Sequence, residues 1–392
     1  MRTFPTPVYL ITLAQALGML TAPLVIFVGG FIGLSLAPSQ SMATLPVAAL
    51  IVGTAIAGMP AALIMKKIGR RNGFVYATLV GLLGSILAVF SIQNALFWGL
   101  CISILLLGMH LAFVYQFRFA ALEWVEPNLA AKATSFMMLG GLLAAWLGPE
   151  LAMLGIDLLS AKFTGSFILL AIAHGLLLLM LSFIEFAEVK EQDGTNEGRS
   201  WLQLLKSPGI AAAIACTAVA YGVMSLVMTA TPISMSEVQD FAISETKVVI
   251  QSHIIAMFAP SIFAPLILKY INTAQMLLTG LLALIVAISI ALMDQSYWGY
   301  WSALVCLGLG WNFSFVAGTS LLAQSYTSEE SFSAQAVNEL SVFGTQAIMS
   351  LLAGVIVFNY GWIALNFFAI PLLMFALFML ARWYVKTDHA VR

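Results

Sequence analysis

Long apolar runs recur along this chain, each about as long as the oily core of a bilayer is thick. A helix rises about 1.5 Å per residue, so crossing roughly 30 Å of hydrocarbon takes about 20 apolar residues. Twelve stretches qualify: Val8–Leu34, Ala43–Met65, Phe74–Ile92, Phe97–Leu122, Ala133–Leu154, Phe163–Ile184, Ile210–Ile233, Val248–Leu268, Ala274–Met293, Trp298–Leu322, Phe332–Phe358 and Trp362–Val385. They are apolar throughout and do not alternate at every second residue, which excludes outer-membrane-type strands. Helices remain, because they satisfy their own backbone in lipid. Only 8% of the 392 residues are charged and 61% are apolar, whereas soluble domains carry about 25% charged residues. Soluble, disordered and fibrous classes are therefore excluded, and the expected fold is an all-α integral membrane protein of twelve transmembrane helices. The first run is too long for a signal-peptide core and is kept as helix 1. A net charge of −1 offers no basic field for nucleic acid. Cys101, Cys216 and Cys306 stand singly in apolar runs, with no disulfide or metal-ligand spacing. No cofactor and no metal are expected.

Cytoplasmic loops of membrane proteins are enriched in Lys and Arg. With both termini inside, only Lys162 and Lys247 fall outside and Arg118 falls within helix 4; every other Lys and Arg falls inside. The expected location is the bacterial inner membrane, with both termini cytoplasmic. The polar stretch 185–207 reads as a cytoplasmic linker. It divides the chain into six-helix bundles at 1–184 and 208–392. A weak repeat accompanies the division. Leu63-Ile64-Met65-Lys66 matches Leu266-Ile267-Leu268-Lys269, Ala131-Lys132-Ala133 matches Ala334-Gln335-Ala336, and Gly141 matches Gly344, all at one offset. This suggests homologous halves related by an axis along the membrane normal.

Twelve helices, a central cytoplasmic linker and a halved chain together resemble the major facilitator superfamily. Ala62-Leu63-Ile64-Met65-Lys66-Lys67-Ile68-Gly69-Arg70-Arg71 looks like its Gly-x-Leu-x-Asp-Arg-x-Gly-Arg-Lys loop, with Lys66 at the acidic position and Ala62 at the first glycine. Gly148-Pro149 resembles the Gly-Pro of its antiporter motif. Tyr115 to Ala121, Gln251-Ser252-His253, Met257 to Ser261, Gln335 to Glu339 and Gly361-Trp362 look like a bacterial permease branch. The resemblance implies two six-helix bundles and places helix 4 beside a central cavity. It also implies that the cytoplasmic ends of helices 4 and 11 belong to opposite halves.

An ionisable group near the bilayer centre costs at least about 2.5 kcal/mol and asks for a reason. Arg118 in helix 4, Glu150 after Gly148-Pro149, His253 in helix 8 and Glu339 in helix 11 are the candidates for proton coupling or gating. Arg118 and Glu339 are expected to pair when the cytoplasmic side closes. Gln15, His110, Tyr115, Gln116, Tyr221, Trp311, Asn312 and Gln346 are the candidate substrate-binding residues. A few polar groups among aromatic walls suit an amphipathic organic solute. His174 is read as a packing residue. Trp98, Trp124, Trp298, Trp301, Trp383 and Tyr384 are read as interfacial anchors. Glycine pairs such as Gly140-Gly141 and Gly308-x-Gly310 permit close helix approach.

These features point to a secondary active transporter for a small organic solute, working by alternating access and coupled to protons. The chain lacks Gly-x4-Gly-Lys-Ser/Thr, so ATP is not the direct energy source. The competing readings are a multidrug or metabolite efflux antiporter and, in a different class, a membrane-embedded enzyme or lipid-handling protein. An enzyme would show clustered acid, His or Cys groups near one surface, and none appears in the sequence. The expected partners are the substrate, protons and the lipid bilayer, with the chain a monomer.

Overall fold

The computed structural model describes residues 4–126, 129–186, 200–267, 270–327 and 330–391. All regular secondary structure in them is helical. In chain order the long helices are α1 Thr6–Leu36, α2 Leu45–Ile68, α3 Arg70–Gln93, α4 Phe97–Leu122, α5 Ala130–Leu154 and α6 Thr164–Ser182. They continue as α7 Pro208–Ile233, α8 Ile243–Ile267, α9 Thr273–Met293 and α10 Tyr297–Ser325. The final helical stretch, Ser331–Val391, is broken at Gly361 (φ 83°), giving α11 (331–360) and α12 (362–391). The expected twelve helices are thus present. Most of the expected linker, 187–199 with Lys190 and Arg199, lies outside the described residues, as do Arg2, Lys269 and Arg392.

Local chemistry explains where helices start and bend. Asn272 caps α9 by accepting from the Gln275 amide at 2.9 Å, while Gln275 Oε1 accepts from the Asn272 amide at 2.9 Å. This reciprocal pair satisfies two otherwise orphaned donors. Inside α1, Pro23 has no N–H for the Met19 carbonyl, and the helix runs as two pieces, Thr6–Met19 and Thr21–Leu36. α4 is likewise split, into Phe97–Val114 and Phe117–Leu122. Gly69 (φ 84°) is the one residue between α2 and α3, and Gly361 plays the same part between α11 and α12. Both need the left-handed region that glycine alone enters cheaply.

The chain falls into two compact units, Met1–Glu191 and Gln192–Arg392. In the first, α2 and α4 cross backbone to backbone: a Cβ on Gly53 would strike the Leu105 carbonyl, and one on Gly108 the Leu50 carbonyl. Thr54 Oγ1 donates to Gly108 O at 3.1 Å across the same crossing. α5 seats α1 through Gly140, which lies against Thr12, and through Gly148, which lies against Pro23. In the second unit Gly308 of α10 lies on α8 at His253 and Met257, while Gly310 lies on Gly280 of α9. Small residues at crossings are the usual means of packing helices in lipid, where burial of apolar surface supplies no drive between them. The large apolar residues left outside, such as Leu83, Phe90, Ile102 and Phe378, are at least half exposed. They face the solvent that twelve apolar helices require.

Candidate substrate site

In the first unit, Gln15 of α1 is buried and its amide donates to the Met137 carbonyl of α5 at 3.2 Å. Its Oε1 is buried with no hydrogen-bond partner among the described residues. His110 of α4 places Nδ1 3.1 Å from the Ala77 carbonyl of α3, and its ring packs against Gly81. Its Nε2 is buried without a partner among the described residues. The His174 ring lies edge-on to it, 4.6 Å between centroids. His174 is itself held between Ser85 Oγ at 3.0 Å and Thr21 Oγ1 at 3.1 Å. The structure therefore brings His110 together with a histidine rather than with Gln15, Tyr115 or Gln116.

Tyr115 and Gln116 sit at the break in α4, both half-buried. Arg118 follows on the short second piece. Its guanidinium carbon is 4.7 Å from the centre of the Phe119 ring, a cation–π arrangement. Its Nε is buried with no partner among the described residues. Glu123, five residues on, turns instead to Arg70 at the start of α3, with Nε and Nη2 both 2.6 Å from Oε1. Glu150 is half-buried on α5.

In the second unit, Tyr221 of α7 and Trp311 of α10 come together, 5.0 Å between centroids and at 65°. Three aromatic residues not singled out as site candidates in the sequence complete the group. Phe315 is stacked on Trp311 at 5.2 Å and 10°, Phe258 of α8 is 6.3 Å from Trp311, and Phe343 of α11 is 6.0 Å from Tyr221. Edge-to-face and offset pairs at these separations are the arrangements aromatic quadrupoles prefer. The Trp311 Nε1 donor is buried without a partner among the described residues. Asn312 faces α8, donating to Met257 O at 2.6 Å and Ser261 Oγ at 2.5 Å, with Oδ1 unpartnered among the described residues. His253 points Nδ1 at the Leu304 carbonyl of α10 at 2.7 Å, and its Nε2 is also buried without a partner among the described residues. Gln346 and Glu339 are half-buried on α11. No group of three or more His, Cys, Asp or Glu placed to hold a metal occurs among the described residues. Trp301 of α10 donates its indole N–H to Ser252 at 3.0 Å, so it ties α10 to α8.

Comparison with known proteins adds the chain's relatives. The family model described as Major Facilitator Superfamily matches residues 8–341. The riboflavin transporter RfnT of Brucella anthropi is 33% identical over 373 residues, covering 94% of each chain. The uncharacterized MFS-type transporter YddS of Bacillus subtilis is 30% identical over 329 residues, covering 76% of this chain and 73% of its own. Among solved structures, the POT family transporter PepTSo superposes with a TM-score of 0.76 over 99% of each chain, at 11% sequence identity. That last likeness concerns the fold alone.

Proposed function

The chain belongs to the major facilitator superfamily, and we propose on that footing that it carries a riboflavin-type vitamin across the bacterial inner membrane as a proton-coupled secondary transporter. It is a multi-pass membrane transport protein and not an enzyme. The proposed finer reading is alternating access by a monomer, with both termini cytoplasmic.

The observation that carries the substrate class is the 33% identity to a protein named as a riboflavin transporter, sustained over 94% of both chains. The aromatic group around Trp311 supports the same reading, since a flavin presents a flat ring system to its binder. Gln15, His110, Tyr115 and Gln116 in the first unit and Tyr221, Trp311, Asn312 and Gln346 in the second are the proposed substrate-binding residues, polar and aromatic side chains of the kinds that suit the hydroxyls and the ring of a flavin. Arg118, Glu150, His253 and Glu339 are the proposed coupling or gating groups. Each places a titratable or charged side chain in a membrane-spanning helix, where its retention needs a functional reason.

The test is growth of a riboflavin auxotroph that lacks its own transporter. Expression of this chain is expected to restore growth at low external riboflavin, and an uncoupler is expected to stop accumulation of labelled vitamin. Membrane-localised chain with no gain in uptake, or faster loss of preloaded riboflavin, would contradict import of the vitamin.

A further inference from the structure

The geometry points to the aromatic cluster of the second unit as the place where the flat, uncharged ring of the solute is held, with Tyr221 and Trp311 as its specificity-determining residues. This inference deepens the flavin reading above and rests on it.

Room beside Tyr221 is the first reason. From Gly209 to Ile233 on α7, every residue is buried except Ala211 and Tyr221. A helix enclosed on nearly all sides thus leaves accessible the one aromatic residue that touches Trp311, Phe315 and Phe343. A partly accessible aromatic residue on a helix otherwise enclosed by protein leaves room beside the cluster.

The second reason is an unused donor. Trp311 is only 5% exposed, yet its indole N–H has no acceptor among the described residues. Leaving a buried donor unmade is unfavourable, and tryptophans usually find a partner when buried. A heteroaromatic ring supplies the missing acceptor at its edge, as a carbonyl oxygen or ring nitrogen, while its face covers the aromatic side chains. A hydrocarbon solute supplies no acceptor, and an aliphatic polyol supplies no flat face.

Charge is the third. Tyr221, Phe258, Trp311, Phe315 and Phe343 include no ionisable acid or cation at neutral pH, so the cluster offers no counter-charge to an anionic ring and suits an uncharged one. The ring system of riboflavin is flat and uncharged at neutral pH and edged with carbonyls and ring nitrogens. Its ribityl tail is a polyol with no reason to lie on aromatic faces.

The experiment uses the purified full-length chain in lipid nanodiscs and follows quenching of riboflavin fluorescence, which stacking on tryptophan or tyrosine produces. Lumichrome, the ring without the tail, is expected to displace riboflavin, and ribitol, the tail without the ring, is not. Stacking of a planar base on an aromatic side chain is a substantial term. Trp311→Ala is therefore expected to weaken riboflavin about tenfold and to reduce the quenching of whatever remains bound. Trp311→Phe keeps the face and loses the donor, so it should fall between Trp311→Ala and the unchanged protein. Should Trp311→Ala fail to elute as a single species, Phe315→Leu and Tyr221→Leu carry the test with the same expectation. Unchanged affinity and quenching in the folded variants, or displacement by ribitol but not lumichrome, overturns the ring assignment and leaves the flavin reading standing. Absence of any riboflavin binding to the folded, unsubstituted chain overturns both.

Discussion

Asn312 on α10 donates to Ser261 Oγ on α8 at 2.5 Å and, through the same amide nitrogen, to the Met257 carbonyl at 2.6 Å. The side chain is fully buried, so these bonds are made where water cannot replace them. Asn312→Asp would set a carboxylate oxygen against the Met257 carbonyl. Breaking a buried hydrogen bond in this way costs about 1–3 kcal/mol, more when a charge is left behind. A clear fall in the melting temperature of the purified protein is expected, with Ser261→Ala milder. An Asn312→Asp protein that melts with the unchanged chain would contradict this role.

The α2–α4 crossing makes a steric prediction. Gly53→Val and Gly108→Val each drive a side chain into a backbone carbonyl of the facing helix. Overpacking of this kind costs about 1–3 kcal/mol, more when backbone must move. Both variants should lose most of their monodisperse yield. Gly58, on the same helix as Gly53, has nothing within 4 Å of an added Cβ, and Gly58→Ala should behave as the unchanged protein does.

Gly69 and Gly361 test backbone conformation separately from space. An added Cβ meets nothing within 4 Å at either position, yet φ is +84° and +83°. With ψ of 154° at Gly69 and 174° at Gly361, an L side chain held in this essentially glycine-only region costs about 1–3 kcal/mol. Gly69→Ala and Gly361→Ala should each lower thermal stability measurably, and Gly58→Ala provides the matched control at a helical position.

Arg70 and Glu123 join the start of α3 to the end of α4, and both side chains are partly exposed. Partly exposed pairs are worth about 0–1 kcal/mol. A double-mutant cycle on Arg70→Gln and Glu123→Gln should give a coupling energy within that range, shrinking as salt rises. Transport by Arg70→Gln should stay within about twofold of normal, whereas Arg118→Gln is expected to lose about tenfold or more with folded yield retained. Those figures rest on the proposed coupling role of Arg118 and on the large cost of a charged group kept within a membrane-spanning helix.

The twelve helices were legible because the bilayer imposes one length on every crossing, and a run such as Phe74–Ile92 meets it without ambiguity. The break at Tyr115–Gln116 was not legible, since neither residue is a proline or glycine and both fit a helix. The pairing of Tyr221 with Trp311 lay within reach as two aromatic site candidates, but Phe258, Phe315 and Phe343 did not stand out. In a chain that is apolar on every helix face, a phenylalanine turned to lipid and one turned inward look alike in sequence. The same uniformity hid the direction of His110, whose ring faces Ala77 and Gly81 of α3. By contrast, Gly140, Gly308 and Gly310 announced close crossings, because small residues in a membrane helix have few other uses.

The most direct measurement is counterflow in proteoliposomes holding only this protein and preloaded with unlabelled riboflavin. External labelled riboflavin should accumulate transiently inside, saturably, and lumichrome should block it. Labelled vitamin that enters no faster than into protein-free liposomes, with the reconstituted chain folded and inserted, would contradict the account at its centre.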